Sequence, residues 1–171
     1  ETLFRRSFPV ATVYAANPDK SLPRSVLASG IDVQIPIGSL PAHLRRERVD
    51  FPRHSGYLQA DSQLAAGWRT RLAALGPGLK VGISWQGGTH NSRRPVRSLP
   101  LAQWLPILQS KNARFVDLQY TDSCAELDQL RAATGVVVHS WEEVRADYAQ
   151  TAALVTALDL VISVCTAVIH L

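Results

Sequence analysis

Two short stretches, VGISW at 81–85 and LVISV at 160–164, are apolar at almost every position, and they restrict the folds open to this chain. A strand with one face in water alternates apolar and polar residues. A strand that does not alternate needs cover on both faces, which is the situation of a parallel sheet lying under helices. Runs rich in β-branched residues also occur at 10–14, 32–37, 114–119 and 136–139, and with 79–85 and 160–164 they read as six strands. Between the last four lie helical periodicities at 101–109, 123–133 and 147–158. That alternation predicts right-handed βαβ units and an α/β fold: a Rossmann-like parallel sheet with flanking helices.

Helix ends are marked by local chemistry. Ser123 followed by Glu126 has the spacing of a capping box, Asp147 precedes the apolar positions Tyr148, Ala152, Leu154, Val155 and Leu158, and Gly135 is placed to stop the helix that starts near Ser123. Residues 38–60 hold Pro41, Pro52, Gly56 and the charged run LRRER without a sustained period, so they read as an irregular connection. A helical segment at 61–75, closed by Gly76-Pro77-Gly78, leads into the strand at 79–85. Neither an internal repeat nor a low-complexity tract is evident.

Composition narrows the class. Hydrophobic residues make up 46% and charged residues 19%, enough apolar material for a core. The chain has no run of about 18 apolar residues and no basic-then-apolar opening, so the expectation is a soluble, cytoplasmic protein without a membrane span. Cys124 and Cys165 are far apart, which fits two reduced thiols better than a zinc site or disulfide framework. The net charge of +4 rests on arginine at every basic position except Lys20, Lys80 and Lys111. Arginine's planar fork suits phosphates and carboxylates, so an anionic ligand fits. Nucleic acid fits the charge too, but no long basic stripe and no zinc-finger, RNP or KH signature accompanies it. A solvated basic surface is the commonest origin of such a surplus.

In a parallel sheet, ligands bind beyond the carboxyl ends of the strands. After VGISW comes Gln86-Gly87-Gly88-Thr89-His90-Asn91, where Gly87 and Gly88 let backbone N–H groups approach an anion. The pattern is neither GxGxxG nor a Walker A loop, and an ordinary turn explains it as well. Arg93, Arg94 and Arg97 follow in the same loop and are candidates to close on a diphosphate, against the alternative of a solvated basic loop. After the last strand, Cys165-Thr166-Ala167-Val168-Ile169-His170 turns toward a helix in which Thr166 is the natural cap and His170 lies one turn on. Gln119-Tyr120-Thr121-Asp122 ends another strand, where an amide and a hydroxyl are placed to read a ribose or base, or simply to make a turn. The segment 139–143 is placed to wall the same pocket. Glu142 and Glu143 diverge as neighbours and do not form a paired-carboxylate site. No GxSxG elbow, HExxH zinc site or Ser/His/Asp set is present.

The segments VGISWQGG, RSLPLAQWLPIL, RFVDLQY and DYAQTAALVTALDLVISVCTAVIHL resemble the carboxy-terminal nucleotide domain of bacterial tetratricopeptide-repeat glycosyltransferases, which are related in fold to heptosyltransferases and O-linked N-acetylglucosamine transferases. IPIGSLPAHLR and FPRHSGYLQAD resemble that family's interdomain region, so the likeness covers most of the chain. It implies a partial GT-B architecture, with residues 1–60 as the tail of an amino-terminal Rossmann-like half plus the connection. Residues 61–171 would be the first part of a truncated donor domain. The sequence starts at Glu1, has no Met and stops at Leu171, in keeping with a piece of a longer protein.

By resemblance, Thr166 and His170 fall on the family's TAxxHL run near the donor diphosphate, Gly87 and Gly88 on its glycine-bearing loop, and Gln119 beside the nucleotide. The implied activity is sugar transfer from a nucleotide-diphosphate donor to an acceptor, protein or glycan, without an obligatory metal or other cofactor. Tetratricopeptide repeats would belong to the parent chain. Two positions depart from the pattern: Cys165 stands where the family's commonest form has an acid, and GGTHNSRRPVRS replaces an asparagine-aspartate-arginine run. A thiol is a poor acceptor beside a carboxylate. The alternative implied by these departures is a non-catalytic GT-B-like interaction module.

Overall fold

The structure is a computed structural model, and it describes every residue except Pro18, Lys20, Ser55 and 89–93. The chain divides into two units, Glu1–Leu58 and Gln59–Leu171.

The second unit carries the sheet. After helix α4 (Ser62–Ala73) come strand β1 (Leu79–Ser84), helix α5 (Leu105–Leu108), β2 (Ala113–Asp117), α6 (Cys124–Thr134), β3 (Val138–His139), α7 (Glu142–Ala146), α8 (Tyr148–Ala157) and β4 (Leu160–Ser163). The four strands are parallel in the order β3-β2-β1-β4, with Leu79 opposite Ala113, Val81 opposite Leu160 and Phe115 opposite Val138. This is the expected α/β, Rossmann-like arrangement. From β1 the chain winds outward through β2 and β3, then returns to the other side of β1 to form β4. Right-handed crossovers that reverse direction must also change face, and the helices do so. Leu101, Trp104, Leu108, Leu127 and Leu130 cover one face against Val81, Ile83, Trp85 and Phe115. On the other, Ala65, Trp68 and Leu72 of α4 join Val144, Ala153 and Leu154 over Val116 and Leu118.

The absence of apolar–polar alternation follows from this double cover. Val81 and Ile83 of β1, with Trp85 just after it, look to one layer while Gly82 looks to the other. A Cβ at Gly82 would lie 2.4 Å from Leu118 Cδ1 and 2.6 Å from Leu158 Cδ1, so the side chains of these leucines occupy its place. Helix α4 starts as its sequence predicts, with the Asp61 carboxylate accepting from the amides of Gln63 and Leu64. Asp147 caps α8 by accepting from Ala149 N at 2.9 Å. Gly135 ends α6 at φ +73°, the left-handed conformation that a Cβ disfavours.

The capping box at α6 is not formed. Ser123 occupies the cap position, but its hydroxyl donates to Asp117 Oδ2 at 2.6 Å, and Glu126 accepts from Trp85 Nε1 at 2.9 Å and Gln86 Nε2 at 2.8 Å. An unpaired buried carboxylate or indole N–H costs more than an exposed helix-end amide, which water satisfies. The interior therefore claims both side chains, and the Cys124 amide finds Asp122 Oδ1 instead, at 3.1 Å. The helix expected at 101–109 is a 3-10 turn, Leu101–Trp104, running into the short α5, and α7 is an additional helix.

The first unit contains the short helices α1 (Thr2–Ser7), α2 (Arg24–Leu27) and α3 (Leu40–Leu44), with 3-10 turns at Ile37–Ser39 and Arg48–Asp50. Rings stack between Phe4 and Phe8, and His54 meets Tyr57 edge-on. The strands expected at 10–14 and 32–37 are not formed among the described residues. Val10, Val33 and Ile37 are exposed, and β-branched composition without a neighbouring strand and a packed face does not make a strand. No helix among the described residues is long and apolar enough to cross a membrane.

Candidate functional site

Because β2 and β4 flank β1, and the chain leaves β1 in one direction and returns from the other, the winding of the sheet reverses between β1 and β4 at its carboxyl edge. Such a switch point is where open α/β sheets bind ligands. A cavity of about 460 Å³ opens there. Its lining brings together five of the residues singled out in the sequence, namely Gly88, Arg97, Gln119, Thr166 and His170. Arg93 lies outside the described residues.

The loop after β1 is pinned at its base. Gln86 and Ser98 form an antiparallel bridge, Leu99 N donates to Trp85 O at 2.9 Å, and Gly87 N donates to Arg97 O at 3.1 Å. Gly87 fits only as glycine, since a Cβ would sit 2.9 Å from the carbonyl oxygens of both Arg97 and Cys165. Its role is therefore close approach of two backbones, and its amide is engaged with Arg97 rather than turned to the cavity. Arg94 donates to Gln86 Oε1, which holds it at the loop base. Arg97 lines the cavity with its guanidinium 3.8 Å from Cys165 Sγ.

Gln119 is only 2% exposed. Its Oε1 accepts from Ser84 Oγ at 2.5 Å, Trp85 N at 3.1 Å and Gln86 N at 3.3 Å. The amide oxygen thus stitches the ends of β1 and β2 together beneath the cavity. Thr166 precedes a 3-10 turn, Ala167–His170, without capping it, and its Oγ1 lies 3.0 Å from Ser163 Oγ.

Besides Arg145 and Tyr148, which the sequence did not single out for the site, the cavity takes in Tyr120 from the turn at 119–122. Arg145 donates to Ser140 Oγ at 2.8 Å and lies 4.0 Å from Asp117 Oδ2 and 3.9 Å from Asp122 Oδ1. Asp117 is buried at the end of β2, where it accepts from Gln119 N at 2.7 Å, Ser123 Oγ and Ser140 Oγ. Burial raises its carboxyl above the ordinary value, with these hydrogen bonds and Arg145 pulling the other way. Tyr120 and Tyr148 complete the set, the first donating to Gly88 O at 2.6 Å and the second to Ala167 O at 3.3 Å. The wall expected from 139–143 comes instead from the next two residues, Val144 and Arg145. Trp141 packs edge-on against Trp68 at 5.1 Å, with the Arg71 guanidinium over both rings. EEVRAD, at 142–147, lies outside the helices read from the sequence up to its last residue. Nothing local marks its arginine as held by Ser140 and near the buried Asp117.

Among the described lining residues, the charged groups are the guanidiniums of Arg97 and Arg145, His170 also lines the cavity, and none is a carboxylate. No group of three or more His, Cys, Asp or Glu among the described residues is arranged to hold a metal ion. Fold and cavity together define a Rossmann-like α/β unit with a switch-point pocket of cationic character. In sequence the chain is similar to Protein FlbA of Caulobacter vibrioides, at 33% identity over 178 residues. That alignment takes in 99% of this chain but 30% of the relative, so the chain spans less than a third of that protein's length. No protein-family model matches the chain, and no solved structure matches it.

Proposed function

We propose that this chain is the donor-binding portion of a GT-B glycosyltransferase that moves a sugar from a nucleotide-diphosphate donor to a protein or glycan acceptor. The observation that carries the reading is the switch-point cavity, whose described lining includes Arg97, Arg145 and His170 and no carboxylate. Arg145 already lies 4.0 Å from Asp117 Oδ2 and 3.9 Å from Asp122 Oδ1, so the positive charge offered to an anion rests mainly on Arg97, whose planar fork matches phosphate oxygens. In sugar transfer, negative charge builds on the departing diphosphate. Cations fixed in advance stabilise that charge without having to reorganise. Arg97 is suited to this part because the pinned loop base holds its backbone carbonyl on Gly87 N. The acceptor site, the general base and any tetratricopeptide repeats would lie elsewhere in the parent protein.

The engagement of Gly87 N with Arg97 O and the thiol of Cys165 at the cavity favour a second reading, a GT-B-like module that has kept the fold and lost the donor. Calorimetry with UDP, ADP, GDP and CDP separates the two. On the first reading one nucleotide binds, and Arg97→Gln weakens it by about 10- to 100-fold, the loss of a charge-assisted hydrogen bond. If the folded protein gives no heat with any of the four, the donor-binding reading fails and the interaction module replaces it.

A further inference from the structure

The cavity is lined by both cationic and apolar side chains. Arg97, Cys165 and Thr166 gather where the loops after β1 and β4 meet. The approach is close there: a Cβ at Gly87 would lie 2.9 Å from the Cys165 carbonyl oxygen and 3.3 Å from Thr166 Cγ2. Leu118, Val144 and Val168, buried members of one apolar cluster, also line the cavity. Thr151 sends its hydroxyl to Val144 O at 2.7 Å, away from any ligand. Tyr148, first residue of α8, belongs to the same lining and is 40% exposed. A phosphate or pyrophosphate alone would engage the guanidiniums and leave the apolar side chains of the lining facing water. The volume of about 460 Å³ lies in the range of pockets that enclose a drug-sized ligand, roughly 300–1,000 Å³.

We infer that Tyr148 is the platform on which the base of the bound nucleotide stacks, so that the ring determines preference for a nucleotide over a bare diphosphate. This rests on the donor-site reading above and adds the part of the ligand that the arginines do not explain. Three features suit the ring to the task. It projects from a helix whose first turn is capped by Asp147. Its hydroxyl donates to Ala167 O, in the 3-10 turn that carries His170, so ring orientation is set before the ligand arrives. A side chain already ordered loses little conformational freedom on binding. Every base presents a π-face, so stacking supplies affinity without choosing among bases.

The test is calorimetric titration of the protein with inorganic pyrophosphate and with ADP, UDP, GDP and CDP, repeated on Tyr148→Phe and Tyr148→Ala. At least one nucleotide is expected to bind the unaltered protein about tenfold or more tighter than pyrophosphate, the scale of one base–aromatic stack. Tyr148→Ala should erase that advantage while leaving pyrophosphate binding in place, and Tyr148→Phe should keep it. Where Tyr148→Ala lowers the thermal midpoint, Tyr148→Leu replaces it, filling the volume without a π-face. An advantage that survives both Ala and Leu, or that Phe loses as fully as Ala, overturns the assignment. Equal affinity of pyrophosphate and nucleotides for the unaltered protein overturns it too, while leaving the anion site standing. Binding of neither class overturns the assignment and the donor-site reading together.

Discussion

Gln119→Leu tests whether Gln119 acts on a ligand or on the sheet. The substitution roughly preserves side-chain volume and removes one oxygen that accepts three hydrogen bonds, from Ser84 Oγ, Trp85 N and Gln86 N. The hydroxyl can rotate toward another acceptor, and the Gln86 contact is long at 3.3 Å, so the main loss is one backbone N–H fully stranded and a second partly so. A buried donor left without a partner costs about 1–3 kcal/mol, which sets the expected destabilisation at roughly 2–4 kcal/mol. Urea denaturation followed by tryptophan fluorescence measures it, since Trp85 sits at the altered junction and is fully buried. The midpoint should fall without a change in the slope. A shift below about 1 kcal/mol, accompanied by loss of nucleotide binding, would refute the structural role and return Gln119 to the ligand.

Three further outcomes are expected. Because burial lifts the Asp117 carboxyl above its ordinary 3.8, the folded state keeps the proton where the unfolded chain releases it, and stability falls as pH rises from that value through the raised one. Asp117→Asn should flatten this fall, measured as urea midpoints across that range; an unchanged slope would show that Asp117 does not titrate there. Arg71→Ala removes a guanidinium 4.2 Å from the Trp68 ring and 5.1 Å from Trp141, together with an exposed ion pair to Glu143. The cost should be about 1–2 kcal/mol, mostly insensitive to salt because the screened ion pair is the smaller part. Gly82→Ala forces a Cβ onto Leu118 and Leu158 and should lower stability by about 1–3 kcal/mol, read from thermal unfolding; a neutral result would mean that the two leucines repack freely.

Much of the second unit was legible in the chain. Unbroken apolar runs such as VGISW need two covering layers, and their alternation with helical periods leaves few arrangements besides a parallel α/β sheet. Asp147 and Gly135 marked helix ends because capping depends on residues only a few positions apart. The strands read at 10–14 and 32–37 failed for the complementary reason: a strand is made by its neighbours, and composition carries no information about whether a neighbour is present. At the cavity, sequence reasoning found Gly88, Arg97, Thr166 and His170 through the rule that loops at strand ends converge. It did not show that Gly87 N is engaged with Arg97 O or that the oxygen of Gln119 is spent on β1. Nor did it show that Ser123 and Glu126 leave the helix cap for Asp117 and Trp85. Two of those outcomes depend on polar groups that meet across 35 and 41 residues of chain, Ser84 with Gln119 and Trp85 with Glu126. The interior pairs first the groups that water cannot reach, because they cost most when left alone, and only the tertiary structure brings them together.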